Sequence, residues 1–243
     1  MAHKGIEKRV ADAIKLFWLT RDKQSERQGT KSGQKDAGLR AAVTGGKHLD
    51  GFTDICRDLF IKAGLPEAHI YWRARKELPG YYRAEKNWDL IVVADGSLLA
   101  VVEFKAQVGP SFGNNMNNRV EEALGNASDL WAAYREGAFK PSARPWLGYV
   151  FLLEDCPKSN APVSVKEPHF NVFAEFRDAS YAKRYEIFLT RLLRERLYDG
   201  ACLLLTPRRG GERGKFTSPS KELSFANFAA GLSAHAIAYA ETH

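Results

Sequence analysis

Residues 88–105 read WDLIVVADGSLLAVVEFK. Two apolar, β-branched runs, Trp88 to Ala94 and Leu98 to Phe104, meet at Asp95-Gly96, a dipeptide that favours the tight turn of a β-hairpin. This predicts two antiparallel strands, with Asp89 at the start of the first and Glu103 near the end of the second. The turn then returns both carboxylates to one edge of the sheet. Lys105 lies two residues beyond Glu103, and the side-chain period of a strand points both to the same face. Two acids and one lysine are therefore expected to converge.

That trio suits phosphodiester hydrolysis, which needs charge neutralised on the phosphate, a nucleophilic water and a stabilised leaving oxygen. Carboxylates are the hard oxygen ligands that Mg2+ prefers, and it commonly takes one or two of them. Asp89 and Glu103 fit as ligands, with the backbone carbonyl of Phe104 as one more. Lys105, desolvated beside a cation, is expected to have a lowered pKa and to orient or deprotonate the attacking water. Glu103-Phe104-Lys105 is the only acid-x-Lys triplet in the chain. Taken alone it also fits a solvated strand end; Asp89 on the partner strand is what favours a site.

Outward from the hairpin, apolar spacing predicts a helix over residues 4–19 and a second one after Asp50, which reads as its N-cap or as an extra acid for the site. Between them, Arg21 to Lys47 holds five glycines and seven Lys or Arg against three acids, and reads as a mobile basic loop or arm. Residues 70–75 read as a short strand. Beyond the hairpin come an Asn-rich loop, a helix over 120–134, a buried strand over 146–153, a helix over 181–193, a strand over 201–206, a basic loop with Arg208, Arg209, Arg213 and Lys215, and a helix over 223–240. The order predicts an α/β fold, a mixed β-sheet flanked by α-helices, in a single domain spanning residues 1–243.

Composition narrows the partners. A formal charge of +7 and a pI near 9.3 favour a polyanion. No apolar run reaches the length of a membrane span or a signal peptide, which predicts a cytoplasmic protein without a membrane partner. Three dispersed cysteines form no CxxC pair, and six histidines show no paired ligand spacing. There is no Walker loop and no G-x-S-x-G elbow. Gly80-Tyr81-Tyr82 shares half of the GIY-YIG nuclease motif and lacks the other half.

Leu78-Pro79-Gly80-Tyr81-Tyr82-Arg83, Lys86 with Trp88-Asp89, Glu103-Phe104-Lys105, and the block Val108 to Asn115 followed by Asn117-Asn118-Arg119 resemble the XhoI family of type II restriction endonucleases. The likeness continues through Gly45-Gly46, Asp50-Gly51-Phe52, Val150 to Cys156, Pro168-His169-Phe170 and Ala179 to Glu186. It implies a restriction-endonuclease-like core of the PD-(D/E)xK superfamily, Mg2+ dependence, cleavage of double-stranded DNA at the palindrome CTCGAG with 5′ overhangs, and a cognate DNA methyltransferase. Trp88 stands where the superfamily name places a proline.

A six-base palindrome is most simply read by a homodimer, one half-site per subunit. Gln107, Asn114, Asn115, Asn117, Asn118 and Arg119 follow the catalytic strand and are candidates for DNA binding, since amides pair with adenine and arginine with guanine. The same asparagines also suit turns and helix caps, and Arg119 also suits a phosphate. Arg83 and Lys86, just before Asp89, read as phosphate contacts or as solvated charges. Two other functions fit the same residues, a repair or junction-resolving nuclease and a non-catalytic DNA-binding regulator.

Overall fold

The computed structural model describes residues 5–29 and 47–242. Helix α1 spans Ile6–Gly29 and α2 Asp50–Lys62; short strands β1 (Ile70–Tyr71), β2 (Glu77–Pro79) and β3 (Glu85–Asn87) follow. Strands β4 (Leu90–Ala94) and β5 (Ser97–Gln107) form the hairpin, and α3 is Gly113–Arg135. Then come β6 (Trp146–Glu154), α4 (Tyr181–Arg194), β7 (Gly200–Thr206) and α5 (Phe225–Ala240).

Five strands form one mixed sheet in the order β1-β4-β5-β6-β7. The pairs β1–β4 and β4–β5 are antiparallel, while β5, β6 and β7 run parallel. Asp95 and Gly96 both adopt positive φ, 50° and 77°, as a primed two-residue turn requires. The fold is α/β, with a restriction-endonuclease-like core. On one face Val102 and Phe104 of β5, Val150 and Leu152 of β6, and Cys202 and Leu204 of β7 pack with α1, α2 and α5. On the other face Val101, Tyr149, Phe151 and Leu203 pack with α3 and α4. A strand clothed on both sides reads as an unbroken apolar run, and every residue of β6 but the last is buried.

Four expectations are corrected. The basic loop read from Arg21 begins as helix, because α1 runs on to Gly29. Apolar spacing stops near residue 19, but Arg21, Asp22 and Lys23 are tolerated in a helix. Arg208 also pairs with Asp22 at 2.9 Å, tying that turn to the segment after β7. Residues 30–46 of the expected loop lie outside the described residues. Asp50 is the first helical residue of α2 and not its N-cap, which is Leu49; an acid in the first turn still suits the helix dipole. The Asn-rich loop is the first two turns of α3, since buried Phe112 and Met116 extend the apolar spacing of that helix back toward β5. Finally, the strand read over residues 70–75 is only Ile70–Tyr71, and the chain beyond it goes on to β2 and β3, which pair in a separate two-stranded sheet that periodicity did not reveal.

Candidate active site

Asp89 sits just before β4, where pairing with β5 gives out. The ladder ends at Leu90 opposite Val102, and the next free amide of β5, that of Phe104, donates to Asp89 Oδ2 at 2.8 Å. The side chain thus replaces a missing strand partner, which locks its carboxylate beside Glu103. The Phe104 ring is buried in the opposite layer, and its backbone stays at the site.

Glu103 is 1% exposed, an unusual position for a charge, and two ammonium groups hold it there. Lys105 Nζ lies 2.5 Å from Oε1. Lys86 Nζ lies 3.3 Å from both carboxylate oxygens and 4.2 Å from the centre of the Trp88 ring. A third lysine, Lys76, donates to the Trp88 carbonyl at 2.7 Å. β2 and β3 therefore bring two lysines, Lys76 and Lys86, to the acids. The sequence alone reads Lys86 as a phosphate contact or a solvated charge; its side chain is not solvated but turned onto Glu103. Lys76 was missed, because its position follows from the small sheet.

Burial, and then the neighbouring Glu103 charge, push the Asp89 carboxyl up to about 6, against the pull of Lys105, the Phe104 amide and Lys76. Two carboxylates that repel one another in a half-buried site are a donor set that a divalent cation would relieve. Among the described residues no three His, Cys, Asp or Glu gather as a cage. A hard cation such as Mg2+ needs no more than these two carboxylates plus water and phosphate, so the residues fit. The lowered pKa expected for Lys105 is not found among the protein's own groups. Burial favours the neutral amine, but Glu103 and Asp89 outweigh it and raise the value, so Lys105 is an ammonium.

The remaining candidates divide. Gln107 is 3% exposed; its amide donates to the carbonyls of Ser111 and Phe112 at 3.1 and 3.0 Å, and its oxygen accepts from the Tyr185 hydroxyl. It holds the β5–α3 loop, and its side chain is closed off from solvent. Asn115 donates to the Ser111 carbonyl at 2.7 Å, a local helix-start contact. Asn114, Asn117 and Asn118 are exposed and share one helical face. Arg119 pairs with Glu122. Glu122 also helps to raise the Lys105 pKa, so the start of α3 stands beside the catalytic strand. Arg83 pairs with the buried Asp129 at 2.8 Å while its own side chain stays exposed to solvent. Asp50 stands apart, because α2 covers the face of the sheet opposite Glu103.

An antiparallel hairpin running into parallel strands, with one acid just before its first strand, another on its second and a lysine two residues further on, defines a restriction-endonuclease-like nuclease. The family is more particular. Residues 28–218 match the family described as restriction endonuclease XhoI, and the chain belongs to it. It is 52% identical over 206 residues to the type II restriction enzyme BstVI of Geobacillus stearothermophilus, covering 83% of this chain and 92% of that one. It is 47% identical to AbrI of Azospirillum brasilense (68% and 73% covered) and 44% identical to XhoI of Xanthomonas vasicola (74% and 72% covered), both type II restriction enzymes. No solved structure matches the chain. The protein is thus a type II restriction endonuclease, a site-specific deoxyribonuclease acting on DNA. Among the described residues, no helix is long and apolar enough to cross a membrane.

Proposed function

We propose that this enzyme cuts double-stranded DNA at CTCGAG, leaving 5′ overhangs, with Asp89, Glu103 and Lys105 as its catalytic residues and Mg2+ as its cofactor. The observation that carries the reading is the buried Glu103 carboxylate, set against Asp89 and held 2.5 Å from the Lys105 ammonium. The choice of palindrome rests on the likeness of the Gly109 to Arg119 block to the family. Asp89 and Glu103, with the Phe104 carbonyl, would hold the cation. When bound, the cation neutralises phosphate charge and acidifies a water.

The chain's own groups do the rest. Lys105, protonated and fixed by Glu103, donates a hydrogen bond that orients the attacking water and offsets charge on the phosphate. Lys76 and Lys86 add positive potential at the same place. Asn114, Asn117, Asn118 and Arg119, on the first turns of α3, face the bases or phosphates beyond the cut. The whole chain acts as a single nuclease domain, works as a homodimer in the cytoplasm, and is accompanied by a DNA methyltransferase that protects the same site.

Digesting DNA of known sequence with purified protein and Mg2+, then mapping the fragment ends, tests this reading. Cuts confined to CTCGAG with 5′ extensions support it. Cutting irrespective of sequence, or a preference for branched over linear duplex, would replace it with a non-specific or junction-resolving nuclease.

A further inference from the structure

Between β2 and β3 the chain turns through Gly80-Tyr81-Tyr82-Arg83, and both tyrosine side chains face solvent: Tyr81 is 54% exposed and Tyr82 75%. A floppy surface loop would leave such rings unremarkable. This turn is held from beneath. Asp129 of α3, with its side chain only 4% exposed, accepts the amides of both Tyr81 and Tyr82 at 2.8 Å through one oxygen and pairs with Arg83 through the other at 2.8 Å. Arg83 also reaches Asn126 on the same helix at 3.5 Å. Gly80 packs so closely on Asp129 and Arg83 that a Cβ there would come within 2.6 Å of the carboxylate. The two rings meet edge to face, 4.9 Å between centres. A buried carboxylate thus fixes the backbone of two adjacent aromatic residues whose rings bury little within the fold.

The hairpin also stands next to the chemistry. Tyr82 precedes Lys86 by four residues, at most about 14 Å of extended chain, and Lys86 touches Glu103. The segment from Trp72 to Trp88 carries Arg73, Arg75, Lys76, Arg83 and Lys86 against Glu77 and Glu85. That charge suits a phosphate backbone, and the rings suit bases. Resting on the DNA-cleaving reading above, we propose that the Gly80–Arg83 turn is a DNA-contacting element in which Tyr81 and Tyr82 press their rings against a base step of the bound duplex near the cut. The Asp129 anchor sets their position. Aromatic rings wedged at a base step both grip the duplex and favour sequences that unstack easily, so the turn contributes to specificity without hydrogen-bonding a base.

The test uses the full-length protein and a CTCGAG duplex carrying 2-aminopurine singly at the adenine of the site and at flanking positions, bound in Ca2+ so that it is not cut. Wild-type protein is expected to change the fluorescence of at least one probe. Tyr81→Ala/Tyr82→Ala should abolish that change and weaken binding by about ten- to a hundred-fold, in line with the cost of losing an aromatic–base stack. Tyr81→Phe/Tyr82→Phe, which keeps both rings, should restore both. Thermal unfolding should be unchanged in each. Wild-type affinity and probe signal in the alanine variant would overturn the proposal while leaving the nuclease reading intact. So would a variant that binds each half-site normally but has lost a wild-type dimer, which would make the turn a subunit contact. Failure of wild-type protein to prefer or cut CTCGAG would instead overturn the reading on which it rests.

Discussion

Strands β5 and β6 lie side by side and parallel, so that Glu103 stands beside Tyr149 and Lys105 beside Phe151 on one face of the sheet. Glu103 and Tyr149 are equally buried, at 1% exposure. On β6 these two positions hold rings: Tyr149 packs on Tyr198 at 5.3 Å and Phe151 stacks on Tyr185 at 4.3 Å. On β5 the same two rows hold an ion pair that could be matched in volume by apolar residues at no loss of stability. The two strands show one sheet serving opposite ends. β6 stabilises the fold, whereas β5 keeps charge where burial makes it expensive and where water exclusion makes it effective on a phosphate.

Exchanging the strands' roles residue by residue sharpens the contrast. Glu103→Gln keeps the shape and removes the charge; cleavage is expected to fall about a thousand-fold or more, several kcal/mol of transition-state stabilisation, and calorimetric binding of Mg2+ to weaken with it. Near-normal cleavage would put the site elsewhere. Phe151→Ala, on β6, is expected to cost about 3–5 kcal/mol of stability, with cleavage per folded molecule retained well below the lowered Tm. A loss of cleavage without loss of stability would erase the distinction between the strands.

Asp89→Asn tests the cost of the charged strand by pH. The Asp89 carboxyl is raised from an ordinary value near 3.8 to about 6 in the fold, by burial and then by Glu103. A raised carboxyl contributes stability that is complete below about 3.8 and lost as pH rises through about 6. The asparagine variant should therefore unfold a few degrees higher than wild type at pH 7, about 3 kcal/mol at most, and come close to it near pH 4, when measured without divalent cations. Added Mg2+ should stabilise only the wild type. The smallest effect is expected for Tyr149→Phe, whose hydroxyl is buried without a hydrogen-bond partner among the described residues. Its removal should leave stability unchanged or raise it by about 1 kcal/mol. A clear fall in cleavage with stability intact would move Tyr149 from the packing of β6 into the site of β5.

The hairpin and its three charged residues were legible because each signal is local. Asp95-Gly96 demands one turn type, and a period of two decides which residues share a face. Gln107 shows where that logic stops. Its parity correctly places it with Glu103 and Lys105, but parity does not say that Tyr185 of α4 closes over it. Asn114 to Asn118 read as loop because asparagine is a poor helix former, and the helix begins there only because Phe112 and Met116 have a core to fill. β2 and β3 are three residues each, with charges and a proline, and carry no periodicity to read. For that reason the inward turn of Lys86, and the pinning of Tyr81 and Tyr82 by Asp129, emerge only once the chain is folded.

The most direct test of the account is Lys105→Ala, assayed beside wild type on a plasmid with one CTCGAG site. The variant is expected to bind the site in Ca2+ with wild-type affinity, to remain folded, and to leave the plasmid uncut in Mg2+ under conditions where wild type linearises it. Linearisation by the variant at an undiminished rate would contradict the assignment of Asp89, Glu103 and Lys105 as the centre where the strand is cut.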